Sequence, residues 1–217
     1  MAEKTISTSV LRRARRPAPT EPAARPRGAA RREALLEAVL RIVADTGADA
    51  VTHRRVAEIA GLPLASTTYW FDSKEHLLTA ALELAAQRDT ARLLARAAQL
   101  SEDRGGPSSI DAAVAVIAEP LDRDPQASRG SLMATYALLL EAARRPALQD
   151  VAQRWTEVYL LTLGQLLERA GSGHPRQDAE LLLGAADGLL IGQLASGETS
   201  DLRAPLRRLA VALLAAP

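Results

Sequence analysis

The chain has 217 residues, 47% hydrophobic and 24% charged, with a formal net charge of +1, a size that suits one large or two small globular domains. It contains no cysteine, which excludes disulfides, thiolate catalysis and cysteine-ligated zinc or iron–sulfur centres. Aromatic residues are only 3% of the total, so a core must be built mostly from Ala and Leu, and that composition argues for packed helices.

Residues 1–28 are rich in Pro, Arg, Ala and Thr and read as a disordered basic arm. Up to position 32 the chain carries Lys4, Arg12, Arg13, Arg15, Arg16, Arg25, Arg27, Arg31 and Arg32 against Glu3 and Glu21. Such asymmetry suits either a polyanionic partner or a solvated tail. Arg12-Arg13 and Arg15-Arg16 do not form an export signal, because Pro17, Pro19, Glu21 and Pro22 interrupt any apolar stretch after them. No later segment offers 18 uninterrupted apolar residues, so a cytoplasmic protein without a membrane partner is expected.

From Arg31, Leu35, Leu36, Val39, Leu40 and Val43 recur at helical spacing and predict a first helix to about Asp45, stopped by Gly47. Thr52 is placed as the N-cap of a second helix with Val56, Ile59 and Ala60 as its buried stripe. Gly61-Leu62-Pro63 predicts a turn, because Gly supplies unusual backbone angles and Pro63 blocks continuation. A short helix over about Leu64–Trp70 follows, and Ser73 caps a longer one with Leu77, Leu78, Ala81, Leu82 and Ala85 on its stripe. A loop is expected from Ser101 to Ser109, then helices at about 109–119, 130–145, 147–171, 176–196 and 202–215. Breaks fall at Pro120–Pro125, Pro146, Gly171–Pro175 and Gly197–Asp201, and Pro146 and Pro175 suit first-turn positions. No strand alternation and no repeat of solenoid length is present.

Residues 52–74 have the order of a helix-turn-helix, whose second helix lies in the DNA major groove. Small and hydroxyl-bearing side chains suit that helix: Leu64, Ala65, Ser66, Thr67 and Thr68 are candidates to fit or read the groove, and a Thr methyl can touch thymine. Thr52, His53, Arg54, Tyr69 and Lys74 are candidates for the sugar–phosphate backbone, and Trp70 is a DNA-binding candidate whose role is open between contact and packing. The bland alternatives are helix-capping hydroxyls at Ser66 and Thr67, and packing roles for the aromatic run, which is favoured for Phe71.

This segment resembles the DNA-binding domain of the TetR family of transcriptional regulators. The residues that carry the resemblance are Gly47, Val51-Thr52, Arg54, Val56-Ala57, Ala60-Gly61-Leu62, Tyr69, Phe71, Ser73-Lys74-Glu75 and Leu77-Leu78. It is specific over about residues 31–85 and consistent in length and helix content beyond. Many members have Tyr where this chain has Thr68, so Tyr69-Trp70-Phe71 stands one residue displaced from that pattern. The resemblance implies an all-α protein of nine or ten helices. A three-helix DNA-binding domain at 29–75 would be followed by a helical effector-binding and dimerisation domain at 76–217.

It also implies a small-molecule effector of unspecified identity, a homodimer and a double-stranded DNA operator, with repression relieved by the effector. Met133, Tyr136, Trp155 and Tyr159 are candidates for the effector pocket, with an ordinary core as the alternative. Gly184, Gly188, Gly192 and Ser196, four residues apart, form a row of small side chains that allows close helix approach, either within the subunit or across a dimer axis, and the resemblance favours the axis. Two other classes are weighed. An all-helical enzyme has no support in His53, His76 and His174, which lack metal-ligand spacing, so no catalytic residue, metal or cofactor is expected. A sequence-indifferent DNA binder would rely on the arm alone.

Overall fold

The computed structural model describes residues 26–102, 109–118, 125–198 and 200–215. The arm before Pro26, the expected loop after Glu102 and the break at 119–124 lie outside the described residues. Among the described residues the protein is all-α, with nine α-helices, one 3-10 turn and no strand.

Helix α1 runs Pro26–Thr46, starting earlier than expected because Pro26 is preorganised for a first turn and Ala29 and Ala30 propagate it. It buries Leu35, Leu36, Val39, Ile42 and Val43. Gly47, at φ 82°, turns the chain out of α1 into a 3-10 turn at Ala48–Ala50, which the hydrophobic pattern does not signal. Thr52 caps α2 (His53–Ala60), its hydroxyl accepting from the Arg55 N–H at 3.2 Å. The α2 core face is Val56 and Ala57; Ile59 and Ala60, expected there, are only half-buried.

The end of α2 is a Schellman motif. Leu62 N–H donates to the Ala57 carbonyl at 2.9 Å and Gly61 N–H to that of Glu58 at 3.1 Å, with Gly61 left-handed at φ 65°. Pro63 then leads into α3 (Leu64–Trp70). Helix α4 (Lys74–Glu102) is capped by Ser73, whose hydroxyl accepts from His76 N–H at 3.1 Å. The remaining helices are α5 (Ser109–Ala118), α6 (Pro125–Ala142), α7 (Pro146–Arg169), α8 (Pro175–Ser196) and α9 (Arg203–Leu214). Pro146 and Pro175 both sit in first turns, and Gly197 at φ 77° ends α8.

The described residues form two compact units. The first takes the chain to Arg88 together with Gln126–Arg154; the second takes Asp89–Pro125 and the chain from Trp155. In the first, α1, α2 and α3 pack around Phe71, which is fully buried, a contribution of roughly 1.5–3 kcal/mol for a side chain of this size. The Arg32 guanidinium lies 5.6 Å above its ring and the His76 ring meets it edge-on at 5.2 Å. Arg88, on α4, is clasped by Glu33 at 2.7 Å and by Glu37, both on α1. In the second unit, α9 packs on α5 and α8 around Ala113, Ile117, Leu182, Leu206 and Ala210. Asp178 opens α8 where a carboxylate is favoured, and it accepts from Ser172 Oγ at 2.5 Å.

Candidate functional site

The α2–turn–α3 segment determines what α3 can offer. At 100° per residue, Leu64, Ala65, Thr68 and Tyr69 share one arc of this short helix, and all four are exposed, Tyr69 at 78%. Thr67 points to the opposite side and is completely buried. The expectation that it meets bases is therefore corrected: its side chain packs inside the module and its hydroxyl has no partner there. Ser66 and Trp70 flank the exposed arc and are half-buried. Tyr69 and Trp70 pack edge to face at 5.0 Å, which orients the exposed phenol. Thr68 Oγ1 donates to the Ala65 carbonyl at 3.3 Å. The exposed arc is thus small or apolar at Leu64 and Ala65 and hydroxyl-bearing at Thr68 and Tyr69, a pattern that can approach a groove floor closely and still donate hydrogen bonds.

The other DNA candidates differ in how free they are. Arg54 is exposed. The Thr52 oxygen is used in capping α2. His53 Nε2 donates to the Phe71 carbonyl at 2.9 Å, tying the start of α2 to the end of α3. Lys74 Nζ donates to the Asp49 carbonyl at 2.9 Å and faces the Asp49 carboxylate at 3.6 Å. His53 and Lys74 therefore brace the module, linking α2, α3, the 3-10 turn and α4.

The four effector candidates are not gathered in one unit. Met133 and Tyr136 are on α6 in the first unit, Met133 exposed and Tyr136 half-buried. Trp155 and Tyr159 are on α7 in the second, one helical turn apart, and they converge on a residue that pattern reading missed. Trp155 Nε1 donates to Asp89 Oδ2 at 3.1 Å, and the Tyr159 hydroxyl donates to the same oxygen at 2.5 Å. Burial, and then the adjacent Asp89 charge, push the Tyr159 phenol well above its ordinary pKa, so it stays a donor. A helical Trp/Tyr pair with buried polar tips signals some acceptor, but nothing in the sequence says that it is the Asp in the middle of α4.

The glycine row of α8 faces outward. A Cβ built on Gly184, Gly188 or Gly192 meets nothing within 4 Å, and Ser196 is exposed. No close helix crossing within the described subunit accounts for these glycines. Leu181 beside them is 56% exposed, with Leu189 and Ile191 also open, while Leu182, Ala186 and Leu190 are buried on the other side. The helix has 22 residues with a mean hydropathy of 1.2 in its apolar stretch, long and apolar enough to cross a membrane by length and composition, and 22% of that stretch is buried. Glu180 and Asp187 interrupt it.

Comparison with known proteins agrees with this architecture. Residues 108–216 match the family described as "Tetracyclin repressor-like, C-terminal domain". The chain is 32% identical over 170 residues to the HTH-type transcriptional regulator BetI of Rhizobium meliloti (strain 1021), covering 75% of this chain and 77% of that protein. It is similar to the solved structure of a TetR-family member from Streptomyces coelicolor A3, with a TM-score of 0.68 at 31% identity over 86% of this chain and 99% of the other. It is also similar to the multidrug binding protein EbrR complexed with ethidium, with a TM-score of 0.64 at 31% identity over the same shares of the two chains. A helix-turn-helix at the N-terminal end and a helical C-terminal region define a DNA-binding transcriptional regulator, and this chain belongs to the TetR family.

Proposed function

We propose that the protein is a homodimeric repressor that binds a palindromic operator and is released by a small-molecule effector. In this reading residues 29–75 bind DNA and residues 76–217 sense the effector and dimerise. The observation that carries it is the outward face of α8, where three glycines stand beside exposed Leu181, Leu189 and Ile191. An apolar row of this kind, without a close neighbour among the described residues, is what a two-fold helix contact buries. Two copies of α3 would then enter successive major grooves, about 34–36 Å apart. Leu64, Ala65, Thr68 and Tyr69 would face the groove and Arg54 the phosphates, with Ser66 and Trp70 at the edge of the contact.

The effector side draws support from EbrR, solved with ethidium and with malachite green. Trp155 and Tyr159, which share one unit, are the candidate contacts kept for it. The effector would act by preferring a dimer in which the two α3 helices are wrongly spaced, and it shifts the balance only by its difference in affinity for the two states. A cytoplasmic regulator without catalytic residues is the corresponding assignment.

Footprinting of the full-length protein on selected DNA provides the test. Two protected half-sites with dyad symmetry, lost in Gly188→Glu, are expected. Protection of a single asymmetric half-site, or binding unchanged when the dimer is disrupted, would overturn the dimeric reading.

A further inference from the structure

We propose that Leu64, with Ala65 beside it, recognises the 5-methyl group of thymine, so that the protein selects A·T pairs in each half-site by apolar contact. The proposal deepens the operator-binding reading above and rests on α3 entering the major groove.

Helix α3 runs Leu-Ala-Ser-Thr-Thr-Tyr-Trp and carries no Arg, Lys, Asn, Gln, Asp or Glu. Those are the side chains that pair with base edges most selectively. Arg or Lys takes guanine O6 and N7, Asn or Gln takes adenine N6 and N7, and Asp or Glu accepts from the cytosine amino group. Three of the four bases therefore find none of their strongest partners on this helix. Thymine is different, because its methyl group projects into the major groove and is met by an apolar side chain.

Helix α3 offers such a side chain. Leu64 is 50% exposed, and between Thr52 and Lys74 it is the only large aliphatic residue left open to solvent. Ala65 is exposed next to it. Thr68, on the same arc, gives its hydroxyl proton to the Ala65 carbonyl in the free protein, so it shows a methyl and an acceptor oxygen. A half-exposed leucine gains by shedding water against another apolar group, and a methyl on the groove floor is one. The position of Leu64 is also set before DNA arrives. Pro63 holds φ at −58°, and its carbonyl accepts from Ser66 N–H at 2.9 Å. Leu62 and Gly61 N–H donate to carbonyls of α2 on the other side of the turn. A backbone tied on both sides has little freedom left to lose on binding, so more of the contact's gain appears as affinity. Exposed Arg54 on α2 can add phosphate affinity without choosing a base.

The test selects operators from random duplexes with the full-length protein and then replaces thymine by uracil, which pairs identically and lacks only the methyl. Selected half-sites are expected to hold A·T pairs at their most constrained positions. At one or more thymines per half-site, uracil in both symmetric copies is expected to weaken binding at fixed salt by about fifteenfold, from about fourfold per methyl. Thymines outside the footprint should tolerate the change and serve as the control. Leu64→Ala, checked for native helicity by circular dichroism, is expected to bind the thymine and uracil operators within about twofold of each other. Unchanged wild-type affinity with every half-site thymine replaced overturns the proposal without reliance on any variant. So does a uracil penalty that persists in full in Leu64→Ala. If a specific operator is selected and its methyls do not matter, the methyl assignment falls and the regulator reading stands. Selection that yields no preferred sequence overturns the operator-binding reading, and the proposal with it.

Discussion

Helices α3 and α8 both present an exposed face among the described residues, and the two faces differ in chemistry. On α3 the exposed side chains end in hydroxyls at Thr68 and Tyr69, beside small Ala65 and a single apolar Leu64, and water satisfies the hydroxyls at little cost. On α8 they are leucines, an isoleucine and bare backbone. An exposed polar arc is stable in the free protein and available to a polyanion that comes and goes. An exposed apolar row asks for a permanent cover. The difference suggests that one surface evolved for a transient partner and the other for a constant one.

The comparison breaks most sharply at Gly188. Gly188→Glu sets a charge in the middle of the α8 row, and the expected outcome in analytical ultracentrifugation is a monomer, with operator affinity down by about two orders of magnitude as one half-site's contacts are lost. A variant that remains dimeric would assign the cover to another face. Next comes Phe71→Ala, which empties the centre of the DNA-binding module and is expected to cost about 3–5 kcal/mol in denaturant unfolding.

On the α3 face, Tyr69→Ala is expected to weaken operator binding by about tenfold and to reduce its salt dependence if the phenol meets phosphate. Thr67→Val is the paired control. It replaces a buried hydroxyl that lacks a partner by a methyl of the same shape, so operator affinity should hold and stability should stay level or rise by up to about 1 kcal/mol. Loss of DNA binding in Thr67→Val with a normal melt would return Thr67 to the interface. The smallest effect concerns Tyr159. Because its folded pKa lies well above 10.0, the unfolded chain releases this proton first. Its contribution is therefore complete below about pH 10 and declines as pH rises through the folded value, a slope that Tyr159→Phe should flatten in alkaline melts.

Most of the helix plan was legible because its signals are local. Thr52, Gly61 and Ser73 mark helix ends by what their own atoms do within three or four residues, and the observed caps and the Schellman turn follow. The 3-10 turn at Ala48–Ala50 was not legible, since three residues carry no period. The facing of α3 was half legible. Residue type nominated Thr67 beside Thr68, but only the rotation of a seven-residue helix against α1 and α2 decides which threonine is inside. Asp89 was invisible for a different reason: its partners are 66 and 70 positions away, and no local pattern encodes such a meeting.

One feature of α4 limits how this chain can change over generations. Arg88 holds Glu33 and Glu37 on one side of a peptide bond, and Asp89 holds Trp155 and Tyr159 on the other. A residue inserted or deleted between the Ser73 cap and Arg88 would rotate both side chains by about 100° and shift them by about 1.5 Å relative to that cap. A substitution along this stretch leaves that spacing intact, whereas a change of length would carry Arg88 away from Glu33 and Glu37. The count of residues from Ser73 to Arg88 is therefore under a constraint that a loop of the same length does not carry.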